Sequence, residues 1–165
     1  MTEPQATEPQ ATEPRWLTDT EHSAWRGWVE LGSRLDERLN RQLQRDSGLS
    51  AADYEVLVNL SEAEDGRLRA FQLGALIRWE KSRLSHHLTR MEKRGLIARE
   101  ECPTDGRGAY VVLTPAGRSA IETAAPLHVD EVRRSFVDLL SDEQLQQLVE
   151  ITDVVLGVLR DDPDR

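Results

Sequence analysis

Residues 70–113 read AFQLGALIRWEKSRLSHHLTRMEKRGLIAREECPTDGRGAYVVL, and this stretch decides the fold. Its first eight residues place Phe71, Leu73, Leu76 and Ile77 at helical spacing, which predicts a short helix with these four inward. A break follows at Arg78-Trp79. A second helix is expected from about Lys81 to Arg94, stopped by Gly95. Leu96 to Glu100 then reads as a strand, Cys102 to Gly108 as a turn-rich loop, and Ala109 to Leu113 as a second strand. Helix, short turn, helix and hairpin is the pattern of a winged helix-turn-helix, whose second helix enters the DNA major groove.

The second helix is tested by its faces. At about 100° per residue, Leu84, Leu88 and Met91 point inward, while Ser82, His86, Thr89 and Lys93 point the opposite way. Arg83, Ser85 and Arg90 flank that outer face, and Lys81 stands at its start. These side chains are donors of the kinds that read base edges or clamp phosphates. His87 falls on the flank nearer the core and reads as structural. The rival interpretation of the same residues is a solvated charged face.

Outward from this segment, residues 50–63 form a preceding helix, opened by a capping box from Ser50 to Asp53, with Tyr54, Leu57, Val58 and Leu60 as apolar positions. Arg67-Leu68-Arg69 alternates as a very short strand. Residues 19–47 form a long helix with one stripe, Trp25, Trp28, Leu31, Leu35, Leu39 and Leu43. Those tryptophans read as core or subunit interface rather than a cofactor box. Thr114-Pro115 opens a helix toward Leu140, which Pro126 should kink or interrupt. Ser141 to Gln144 is another capping box. The last helix, from Leu145 to Leu159, has too wide an apolar surface for a lone terminal helix and asks for a partner helix from another subunit. The domain reading is a disordered TEPQA-repeat tail at 1–15, one domain at 16–160 and an acidic tail at 161–165. The expected fold class is mostly α with a small β-hairpin wing.

The 165 residues carry 21 basic and 30 acidic side chains, a net charge of −9 that taken alone argues against a nucleic-acid binder. The charge is not spread evenly. Residues 78–107 carry a net positive charge of 3, while each end of the chain is acidic. Screening over about 10 Å lets one basic segment meet a polyanion despite distant acidic ends. No apolar run approaches the roughly 20 residues of a membrane span, and no secretory signal is visible, so a cytoplasmic location is expected. The single cysteine, Cys102, excludes an internal disulfide framework and a multi-cysteine zinc site. No metal or cofactor is expected. Glycine-rich phosphate loops, nucleophile elbows and paired metal ligands are absent from the sequence, so no enzymatic activity is expected.

With these residues in view, the chain resembles the MarR family of bacterial transcriptional regulators. The likeness is carried by Leu73-Gly-Ala-Leu-Ile77, by Ser82 through Ile97, by Pro103-Thr-Asp-Gly-Arg107 and by Val112-Leu-Thr-Pro-Ala-Gly117. It implies a homodimer whose helices at about 16–48 and 115–160 pair, with a DNA-binding lobe at about 50–114 reading half of a palindromic operator. It implies that Arg107 at the wing tip enters the minor groove, oriented by Asp105. An arginine there reads groove width.

Three residues depart from the family pattern. Gly106 stands where a second arginine is frequent. Glu80 replaces the usual Ser or Thr cap of the recognition helix. His86 replaces a frequent arginine with a side chain whose charge changes between pH 5 and 8, so affinity should rise mildly as pH falls.

The resemblance also implies repression relieved by a small phenolic or aromatic-acid effector. His22, Trp25, Arg26, Trp28 and Tyr54 are the candidates to hold it, aromatic walls with a cation. Cys102 lies beside Glu100 and Glu101, which disfavour its thiolate and a redox role. The alternative function is a winged-helix protein-interaction module that does not bind DNA.

Overall fold

The computed structural model describes residues 14–101 and 109–160. The order of elements is α1 (Asp19–Ser47), α2 (Ala51–Glu62), β1 (Arg67–Arg69), α3 (Ala70–Ile77), α4 (Lys81–Lys93), β2 (Ile97–Glu101), β3 (Ala109–Leu113), α5 (Pro115–Ser135) and α6 (Asp142–Arg160). Short 3-10 turns at Glu64–Gly66 and Val137–Leu139 complete it. The protein is mostly α-helical with a small antiparallel sheet. That sheet has three strands, ordered β1-β3-β2, because Arg67–Arg69 pairs with Tyr110–Val112 beside the expected hairpin.

The chain divides into two compact units, one ending at Arg34 and one beginning at Leu35. The first is the N-terminal segment with the first half of α1. Its helix is started by Thr18 and Glu21: the Thr18 N–H donates to the Glu21 carboxylate at 2.8 Å, and the Glu21 N–H donates back to the Thr18 hydroxyl at 3.3 Å. This is a reciprocal capping box. Trp25 and Trp28 lie more than half exposed on it, at 59% and 54%. Neither belongs to the buried core among the described residues.

The second unit holds the core. Leu43 and Leu49, Val56, Leu57 and Leu60 of α2, Leu73 and Ile77 of α3, Leu84, Leu88 and Met91 of α4, and Val111 and Ile121 pack into one cluster. Each such buried aliphatic chain contributes roughly 1.5–3 kcal/mol. α2 begins as expected, with Ser50 and Asp53 exchanging side-chain and backbone hydrogen bonds.

Two expectations fail. Phe71 and Leu76 are 70% and 60% exposed rather than inward. α3 is only eight residues long, and one face of so short a helix reaches the core, the face carrying Leu73 and Ile77. Pro126 does not interrupt α5. It occupies an exposed position, and the helix runs on to Ser135.

α5 starts against the end of α4. The Thr114 hydroxyl donates to the carbonyls of Gly95 (2.6 Å) and Leu96 (3.0 Å) and accepts from the Gly117 N–H. Gly117 permits this: a Cβ there would lie 2.0 Å from the Leu96 carbonyl oxygen. α6 begins with the Ser141–Gln144 box and buries no residue. Val154 and Val158 on it are 71% and 72% exposed. Among the described residues, no helix is long and apolar enough to cross a membrane.

Candidate nucleic-acid interface

α3 and α4 are joined by a turn of three residues, and the turn works because Arg78 takes a left-handed conformation (φ 54°). Its N–H returns to the Gly74 carbonyl, closing α3. Gly74 lets the helices approach, with the Leu84 methyl 3.3 Å from where its Cβ would stand. Glu80 opens α4 without a side-chain capping bond, as its poor capping character implies. It still places a carboxylate at the positive end of the helix dipole.

The faces of α4 follow the sequence reading. Leu84, Leu88 and Met91 are buried, and so is His87. Lys81, Ser82, Arg83, Ser85, His86, Arg90 and Lys93 are exposed, with Thr89 half-buried. All eight therefore lie together on one helix. Asp105 and Arg107, together with Cys102 and Gly106, lie outside the described residues.

The helix is held by contacts from three sides. From α2, Asp53 accepts from Arg94 at 2.7 Å, and Arg94 also donates to the Gly48 carbonyl at 2.9 Å. From β2, Arg99 donates to the Ser85 carbonyl and to the Thr89 hydroxyl, each at 3.1 Å, and lies 3.7 Å from Glu92. From the turn, Trp79 stacks under the Arg83 guanidinium at 4.1 Å and meets the edge of His87 at 5.2 Å between ring centres. Arg94, Arg99 and Trp79 went unnoticed as supports in the sequence. The basic spacing around α4 was visible there, but which cations turn inward depends on partners distant in sequence.

Burial raises the Asp53 carboxyl, but hydrogen bonds from Ser50 and Arg94 outweigh it and hold the group below its ordinary range. Burial pushes the His87 imidazole down. Asp53 opposes that shift, and Arg90 and Arg83 add to it. His87 is therefore neutral near pH 7.

Beside Arg83 lies an open cavity of about 640 Å³ bounded also by Leu39, Asn40, Tyr54, Trp79 and His128. Tyr54 and His128 stack with ring centres 4.4 Å apart, and the His128 ring approaches the buried Gln42 amide at 3.3 Å. Burial raises Tyr54 and lowers His128. Of the residues marked by sequence for an effector, Tyr54 lines this cavity. His22, Trp25, Arg26 and Trp28 lie on the first half of α1, where Trp25 and Arg26 border a separate shallow depression with Val29 and Glu30. Among the described residues, no cluster of His, Cys, Asp and Glu is arranged to hold a metal.

Comparison with known proteins places this geometry. The sequence model of the MarR family matches residues 47–108. The chain is 45% identical to AbsC, a MarR family transcriptional regulator from Streptomyces coelicolor, over 90% of this chain and all of that one, with a TM-score of 0.86. It is 41% identical to Sco3205 from the same organism, a MarR family transcriptional regulator solved in complex with DNA, over 92% and 94% of the two chains and with the same TM-score. It is also 27% identical to YkoM, an HTH-type transcriptional regulator of Bacillus subtilis, over 64% of this chain and 67% of YkoM.

Proposed function

This chain belongs to the MarR family of DNA-binding transcriptional regulators, and on that premise we propose that it acts as a homodimeric repressor on a palindromic operator. One observation carries the reading: the exposed face of α4 holds Lys81, Ser82, Arg83, Ser85, His86, Arg90 and Lys93 with no large apolar side chain among them. In the major groove, the arginines suit guanine edges or phosphate, and the hydroxyls suit several base edges. Thr89 completes this set. Arg107, oriented by Asp105, takes the minor groove.

The DNA-binding lobe spans about residues 50–114. The dimer forms through α1, α5 and α6, since Val149, Ile151, Val154, Val155, Val158 and Leu159 are all exposed on α6 alone. An apolar surface of that extent is stabilised by a second copy with the same surface.

Release from DNA follows binding of a small aromatic acid in the Tyr54–His128 cavity. Trp79 and Tyr54 supply aromatic walls and Arg83 a cation. Because Arg83 also belongs to α4, an anion that engages it withdraws a cation from the DNA face. Trp25, Trp28, His22 and Arg26 are the less favoured ligand contacts.

The test is a mobility shift on the DNA upstream of the protein's own gene and of its divergent neighbour, with Arg107→Ala as control. Sequence-specific binding by a dimer, weakened in Arg107→Ala, supports the regulator reading. A folded dimer that binds neither these fragments nor a random genomic library supports the protein-interaction module instead.

A further inference from the structure

The exposed arginine Arg90 on α4 is tied to the interior by a buried side-chain chain. Its Nη2 donates to His87 Nδ1 at 2.8 Å. His87 is 5% exposed, and its other ring nitrogen, Nε2, lies 3.1 Å from Asp53 Oδ1. That second contact is electrostatic rather than a well-directed hydrogen bond. Asp53 is itself fixed by the Ser50 N–H at 2.9 Å and by Arg94 at 2.7 Å. The chain thus runs from the cap of α2, through the imidazole, to a guanidinium on the flank of the DNA-facing surface.

A guanidinium has donors and no acceptor. Nδ1 must therefore present its lone pair to Arg90, which leaves the imidazole proton on Nε2, facing the carboxylate. We propose that His87, held by Asp53, is a positioning residue that fixes the Arg90 guanidinium for a DNA phosphate, and that it does so only as the neutral, Nε2-protonated tautomer. The inference rests on the DNA-binding reading above and adds to it a residue that does not touch DNA. A preset arginine loses less side-chain freedom on meeting phosphate than one that swings freely.

The charged groups facing the ring are Asp53 from α2, with Arg94 on its other oxygen, and Arg83 and Arg90 from α4. Trp79 from the turn is the aromatic neighbour. A second proton on the ring would set Nδ1–H against the Arg90 donor and free the guanidinium. Acidification should therefore weaken this one contact.

The experiment combines substitutions at both positions with a spectroscopic reading of the imidazole. His87→Gln keeps a donor toward Asp53 and lacks an acceptor at the Nδ1 position. His87→Asn places an amide oxygen near Nδ1 and loses the donor. Binding is measured on the duplex upstream of the protein's own gene. His87→Gln should weaken binding about fivefold, the scale of one directed hydrogen bond, and His87→Asn less than about twofold. In an Arg90→Ala background, His87→Gln should change affinity by less than about twofold. An equal loss in both backgrounds overturns the proposal, since His87 would then act on the fold at large.

Nitrogen-15 correlation spectra of the wild-type imidazole at pH 7 supply a reading independent of DNA. A proton on Nε2, with Nδ1 shifting in Arg90→Ala, supports the chain. A proton on Nδ1 overturns it. Failure of the wild type to bind any DNA would count against the regulator reading, and these spectra would still decide the His87–Arg90 contact.

Discussion

Arg94 and Asp53, 41 residues apart, meet at 2.7 Å, so the end of α4 is bolted to the cap of α2. Asp53 carries three tasks at once: capping α2, pairing Arg94 and facing His87. Its replacement by alanine leaves Arg94 and the Ser50 N–H without their acceptor. The expected cost is about 1–2 kcal/mol, the scale of a lost helix cap, because Arg94 is 44% exposed and water can take the place of the carboxylate. Urea denaturation measures it, and an unchanged midpoint would show that the pairing is ornamental. Since the Asp53 carboxyl is depressed, its contribution is present above its ordinary value of 3.8 and is lost as pH falls below that.

Gly117 predicts a sharper effect. An alanine methyl there would meet the Leu96 carbonyl oxygen at 2.0 Å and the Leu113 methyl at 2.9 Å. Relief requires moving the start of α5 off the end of α4. Gly117→Ala should destabilise by about 3 kcal/mol or more, the range of severe overpacking. A thermal melt within two degrees of wild type would contradict this packing.

Glu131 on α5 is a nearly buried carboxylate. It accepts from Arg38 at 2.5 Å and from the Ser135 hydroxyl at 2.8 Å, and it pairs with Arg134. Arg38 above all, then Ser135 and Arg134, lower its pKa to about 2 from the ordinary 4.5. A depressed carboxyl stabilises fully above its unfolded value, so this contribution holds above 4.5 and is lost as pH falls toward about 2. Glu131→Gln should be less stable at pH 7 by about 2 kcal/mol, with the difference from wild type shrinking through that acid window. Parallel stability curves across the window would refute it.

Much of this was legible before the structure. The helix boundaries follow from periodicity and from the caps at Ser50, Thr114 and Ser141, whose capping hydrogen bonds reach only three residues along the chain. The outer face of α4 follows from its 100° rotation per residue. What sequence could not supply was pairing across distance. β1 becomes a strand only beside Tyr110–Val112. Phe71 looked inward because a period does not reveal how much of a short helix a core can cover. Arg94, Arg99 and Arg90 look alike in a basic run, yet each has a different partner: a carboxylate, a helix carbonyl and a buried imidazole. Of the effector candidates, four lie on α1 and Tyr54 on α2, and the partner that Tyr54 stacks on, His128, is far away in sequence.

Arg99 gives a test of how the wing strand serves the helix. It grips the Ser85 carbonyl and the Thr89 hydroxyl from β2. Arg99→Ala should lower DNA affinity about fivefold through loosened placement of Ser85 and Thr89. Because the side chain lies near the surface, the melting temperature should fall only slightly. A large loss of stability with unchanged relative affinity would assign Arg99 to the fold instead.

The cavity beside Arg83 predicts its own chemistry. In a variant with Trp16, Trp25 and Trp28 replaced by Phe, salicylate, a small aromatic carboxylate, should quench the remaining Trp79 fluorescence, and Arg83→Ala in that background should weaken the binding about tenfold, as loss of a charged hydrogen bond would. Equal quenching in Arg83→Ala would separate the arginine from the ligand.

The central claim is that α4 meets DNA phosphate and base edges through its exposed basic face. The most direct measurement is affinity for the operator-bearing duplex as a function of salt, for wild type and Lys93→Ala. We expect the logarithm of affinity to fall linearly with the logarithm of salt concentration, and the slope to shrink by about one for each Lys93 removed from the bound dimer. Binding that ignores salt, or a slope that Lys93→Ala leaves unchanged, would contradict the placement of α4 on DNA.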